Sequence, residues 1–112
     1  MKIQLFFTLI LALFLGSFSN ARAQDCLVEA VVTVSTELWA DEVSFILSDD
    51  NGVLLEGQGF SNFSTESFAL CLDNVSGCLL LEMQDSFGDG WNGAYLEVYL
   101  PVFGLSLGTF TL

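Results

Sequence analysis

The chain has 112 residues, 14 of them acidic and 2 basic, with no histidine. Both cations, Lys2 and Arg22, precede the first acid, Asp25, so the stretch from Asp25 onward carries 0 − 14 = −14. Such a stretch offers no electrostatic footprint for nucleic acid. It also has no imidazole base, no lysine for a Schiff base and no arginine clamp for phosphate.

The first segment has the anatomy of an export signal. Met1-Lys2 supplies a charged start, and Ile3 to Leu15 is apolar except for Gln4 and Thr8. Small and polar residues come next, then Ala21-Arg22-Ala23, an A-x-A cleavage pattern. The apolar run is shorter than the roughly 20 residues needed to span a bilayer. Cleavage is expected after Ala23, leaving 112 − 23 = 89 residues (24–112) as one secreted domain. Ala23-Gln24-Asp25 is too polar to be a lipid-attachment box before Cys26. No later segment is expected to span a membrane.

Strand patterning dominates the chain from Val28 to its end. Val28, Ala30, Val32 and Val34 alternate with their neighbours, as do Val43, Phe45 and Leu47. The same period of two recurs at Phe68, Leu70 and Leu72, at Leu79, Leu81 and Met83, and at Leu96, Val98 and Leu100. Period two over four to eight residues marks half-buried strands. Asn51-Gly52 between two apolar runs is a hairpin signal. Pro101 marks a strand end or an edge. A last strand is read from about Leu105 to Thr111. About seven short strands predict an all-β fold, a small antiparallel β-sandwich of jelly-roll or Greek-key type.

All three cysteines, Cys26, Cys71 and Cys78, fall in the exported part, where disulfides form. Cys71 and Cys78 flank a turn-like run, Leu72 to Gly77, read here as joining two strands. A Cys71–Cys78 disulfide is therefore expected. It leaves Cys26 as the odd thiol, free or bonded to another chain. With no histidine and no paired-knuckle spacing, zinc is disfavoured.

One run stands apart: Asp85-Ser86-Phe87-Gly88-Asp89-Gly90-Trp91-Asn92-Gly93. Glycines allow positive φ, and two carboxylates four residues apart in such a loop can converge. Oxygen ligands in flexible geometry suit Ca²⁺. Phe87 at the third position and Leu96 at the twelfth exclude an EF-hand. Asp85 and Asp89 are the first-choice calcium ligands, with Asn92 and backbone carbonyls of Phe87 or Gly90 completing the shell. A plain turn whose aspartates cap their own backbone fits the residues equally well. Trp91 and Tyr95 flank the loop and are candidates for stacking on sugar rings; the other reading makes Trp91 a plug for one end of the sandwich. Asp41-Glu42 reads as a solvated approach to a strand, Asp49-Asp50-Asn51 as a solvated hairpin tip, and Trp39 as a core or loop anchor.

Asp85 to Trp91 resembles the D-S-[FYW]-G-D-G-[WM] signature of a β-rich module in secreted bacterial and algal proteins. Glu42-Val43-Ser44-Phe45-Ile46-Leu47 is similar to that module's E-[IVT]-S-W-x-[IL] strand, with Phe45 where tryptophan is commoner. Asn51-Gly52 resembles its following turn, and Cys71-Leu72 with Gly77-Cys78-Leu79 resembles its C-[LV]…G-C-[YL] pair. The resemblance implies a non-catalytic accessory domain, found beside peptidases or adhesin-like regions. The expectation is a secreted, calcium-stabilised module binding an extracellular glycan or protein. The competing expectations are a metal-free structural or adhesive domain and, more remotely, a two-carboxylate hydrolase using Glu82 and Asp85.

Overall fold

The computed structural model describes residues 25–112; the export signal and its cleavage site lie outside the described residues. Seven strands form in chain order: β1 (Glu29–Ser35), β2 (Val43–Asp49), β3 (Gly52–Gly57), β4 (Thr65–Cys71), β5 (Leu80–Asp85), β6 (Tyr95–Leu100) and β7 (Leu105–Phe110). They build two antiparallel sheets, one in the order β4-β1-β6-β7 and the other β3-β2-β5. The fold is a small β-sandwich in which the chain crosses repeatedly between sheets. Its only helical pieces among the described residues are 3-10 turns at Ala40–Glu42, Leu72–Asn74 and Pro101–Phe103.

The alternation in the sequence becomes the core directly. Ala30, Val32 and Val34 of β1, Val43, Phe45 and Leu47 of β2, and Leu96, Val98 and Leu100 of β6 are all buried. These are the residues of one parity on each strand, because successive side chains point to opposite faces of a sheet. Phe45 packs edge-on against Phe68 of β4, with ring centroids 5.4 Å apart, and so locks one sheet to the other. Such aromatic pairs contribute roughly 0.5–1.5 kcal/mol beyond area burial. Trp39 departs from its expected anchoring role. It is 59 % exposed, and sits at φ 64° where the chain turns into the Ala40–Glu42 segment.

The cysteine pairing differs from the expected one. The disulfide joins Cys26 to Cys71, and Cys78 is a free, exposed thiol. The reason is the sheet order. β4 hydrogen-bonds to β1, with Glu29 opposite Cys71, whereas β5 pairs with β2 in the other sheet. The segment after Cys71 therefore crosses between sheets and is not a hairpin end. Cys26, just before β1, lies beside Cys71 instead. Neighbouring bonds hold the same corner: Leu72 N–H donates to the Val28 carbonyl at 2.9 Å, and the Asp73 carboxylate accepts from Leu27 N–H at 2.8 Å and Val28 N–H at 3.2 Å. Cys26 is thus not available as the anchor of an intermolecular bridge in this fold. A disulfide fits an oxidising compartment. Among the described residues no helix is long and apolar enough to cross a membrane.

Candidate metal centre

The glycine-aspartate loop joins β5 to β6, running from Asp85 to Ala94. Its path needs left-handed backbone: Gly88 has φ 88°, Gly90 φ 92° and Asn92 φ 53°. Asp85 organises the loop from its start. Its Oδ1 accepts from Phe87 N–H at 3.1 Å, and its Oδ2 accepts from Gly90 N–H at 2.5 Å. At Gly90 a side chain is doubly excluded, since φ is positive and a Cβ would lie 3.0 Å from the Leu112 carbonyl oxygen. Burial pushes the Asp85 carboxyl up, but the N–H groups of Gly88, Gly90, Phe87 and Asp89 together outweigh it and hold it below its ordinary 3.8. Of these N–H groups only those of Phe87 and Gly90 make full hydrogen bonds, one to each oxygen, out of about four acceptor sites on a carboxylate. Asp85 thus caps the backbone of its own turn.

Asp89 plays a different part. It is exposed, and its Oδ1 accepts only a long 3.4 Å bond from Asn92 Nδ2. Asn92 also donates to the Gly90 carbonyl at 3.4 Å. The Asn92 amide thus turns its nitrogen, not its oxygen, toward Asp89.

A third carboxylate completes the group: Glu42, which in the sequence reads only as part of a solvated approach to a strand. It immediately precedes β2, whose Val43 lies opposite Asp85. Ser86 N–H donates to the Glu42 carbonyl at 3.2 Å, fixing that strand end against the loop. One carboxylate oxygen each from Glu42, Asp85 and Asp89 lies within 4.8 Å of the others. Glu42 Oε2 is buried with no hydrogen-bond partner. Burial, then the charges of Asp89, Asp85 and Asp41, raise its carboxyl above its ordinary 4.5. Nothing local in the sequence announces this, because the proximity depends on β2–β5 register, which joins residues far apart in the chain. The only hint is the resemblance, whose strand motif begins at Glu42.

The two aromatic candidates separate. Trp91 is 1 % exposed. Its indole N–H donates to the Gln84 carbonyl at 2.9 Å, and its backbone N–H donates to the Leu112 carbonyl at 3.1 Å. It plugs the loop end of the sandwich and presents no face for a sugar. Tyr95 opens β6 and is 43 % exposed. It shares the outer face of its sheet with Glu97 and Tyr99, two and four residues on. Asp49, expected at a solvated hairpin tip, instead bridges segments: it accepts from Asn51 N–H at 2.8 Å and Ser76 N–H at 2.8 Å. The Ser76 and Asn51 bonds outweigh burial and lower its carboxyl below 3.8.

No protein family, curated protein or solved structure matches the chain.

Proposed function

We propose that this protein is an exported, non-catalytic accessory module whose Glu42–Asp85–Asp89 cluster takes Ca²⁺. The carrying observation is the convergence of three carboxylates from two strand ends and one loop, with Glu42 Oε2 buried and otherwise unpartnered. A hard cation with oxygen ligands satisfies that atom and relieves the repulsion. Asp85 and Asp89 stay as ligands, Glu42 joins them, and the Gly90 and Phe87 carbonyls remain the backbone donors. Asn92 contributes only after its amide turns over. The cation would tie the start of β2 to the β5–β6 loop and stabilise the native state by linkage.

The non-catalytic reading is supported by the two carboxylates that hydrolysis would need. Glu82 and Asp85 have opposite parity on β5, so they face opposite sides of the sheet and do not flank one cleft. For ligand recognition the outer face bearing Tyr95 is the surface suited to an extracellular glycan, since Trp91 is enclosed. Isothermal titration tests the metal. Wild type should bind Ca²⁺ and gain melting temperature over the EDTA-treated protein, and Glu42→Gln and Asp89→Asn should abolish both. Identical melting of wild type with and without Ca²⁺ would leave the competing reading, a metal-free structural or adhesive domain. Glycan arrays with Tyr95→Ala and wild type test recognition separately; equal profiles would remove the glycan.

A further inference from the structure

The two sheets are unequal, and the mismatch leaves room for one more strand. One sheet has four strands and the other three. β3 lies against β4 at one side of the sandwich. At the other side β5 and β7 are both edges, each paired with a single neighbour. They line a common cavity of about 160 Å³, with Leu79 and Leu81 from the β5 side and Leu107 and Phe110 from β7. β7 has no strand opposite it. Phe110 lies directly across from Leu96, so both point toward the other sheet. Yet Leu96 is fully buried while Phe110 is 39 % exposed and Leu107 50 % exposed. The inward face of β7 is built as core and lacks its cover.

We propose that this slot accepts, in trans, one extended segment of another polypeptide, alternating aliphatic residues with lysine or arginine. Added beside β5, such a segment becomes the missing fourth strand of the smaller sheet. Its main chain pairs with the free edge of β5, as in recognition by strand addition. Its aliphatic side chains fill the cavity beneath Leu107 and Phe110. Its alternate side chains then emerge on the outer face, where Glu82 is exposed on β5. Basic residues belong at those positions because residues 25–112 carry 14 acids and no cation. The same charge disfavours a second copy as the occupant. β7 itself carries no charged residue and no proline; of the usual edge protections it has only the register shift opposite Val98 and Tyr99. The inference goes beyond the calcium reading and does not depend on it, since Asp85 lies at the far end of β5 from Leu79.

The test uses the mature protein in EDTA at about 0.15 M salt, where exposed charges are screened beyond roughly 8 Å. A synthetic peptide of about eight residues, strand length, alternates valine with lysine. A second peptide has the same composition with the lysines in one block. The alternating peptide should bind and slow hydrogen exchange at the amides of β5. The blocked peptide, of equal charge, should not. Leu107→Glu and Leu79→Lys, both at partly exposed positions, should each weaken binding about tenfold or more while circular dichroism stays that of the wild type. Equal binding of both peptides, no protection of β5 at saturation, or unchanged binding in both variants would overturn the proposal. So would protection of β5 that grows with protein concentration alone, which would make the occupant a second copy.

Discussion

At the residue scale, carboxyl groups of the same type do opposite things. Glu42 is held above its ordinary 4.5 by burial and by three acidic neighbours. The folded state thus binds a proton more tightly than the unfolded chain. The resulting penalty is complete above the raised value and disappears as pH falls through it toward 4.5. Glu42→Gln should therefore raise the melting temperature in EDTA at pH 7, with the advantage vanishing near pH 4; thermal melts across that range check it. On the proposed calcium reading, affinity read by titration should climb with pH across the same window, because cation and proton would compete for one oxygen. Asp49 and Asp85 behave in the reverse sense. Both sit below 3.8 because backbone N–H groups favour the charged form. Their contribution is present above 3.8 and lost as pH drops through the lowered values. Asp49→Ala should lower the melting temperature at pH 7, and the deficit should shrink on acidification below 3.8. The loop was legible in the sequence as a cluster of glycine and acid. The separate duties of Asp85 and Asp89 were not, since they depend on which N–H groups the loop turns inward.

At the scale of elements, strand parity was the most readable property. Val32, Phe45 and Leu96 are buried where period two put them, because alternation needs only local information. Pairing between strands was not readable. Cys71 and Cys78 are close in the chain, yet they serve different sheets, and the partner of Cys71 lies 45 residues away. Closing a loop of that length removes roughly 4 kcal/mol of unfolded-chain entropy. Cys26→Ser should lose stability of about that size in urea unfolding, whereas Cys78→Ser should leave the transition in place. Trp91 likewise could be read either as platform or plug from its position, and only its enclosure decides between them. Trp91→Ala should cost about 3–5 kcal/mol, detectable as a lower urea midpoint. A glycan-binding effect in that variant would come only through unfolding.

For the whole molecule, charge is the dominant feature. Residues 25–112 hold 14 acids without a single internal cation, so self-repulsion works against the compact state. In EDTA the melting temperature should rise between about 0.01 and 0.1 M sodium chloride, as the Debye length falls from roughly 30 to 10 Å. A flat salt profile would mean that the acids are too dispersed to matter. Composition disclosed this burden at once; it could not disclose where it is concentrated.

The Cys26–Cys71 bond gives the molecule a covalent ring that contains β1, β2, β3 and all of β4. The exposed β2–β3 tip at Asn51 and Gly52 lies inside that ring. A protease that nicks the tip therefore releases nothing: the pieces before and after it travel together on a denaturing gel and part only when a reductant is added. A cut beyond Cys71, in the loop between β5 and β6 for example, frees the remainder of the chain from any covalent tether. In an environment rich in hydrolases, this protein is mechanically forgiving in its first half and exposed in its second.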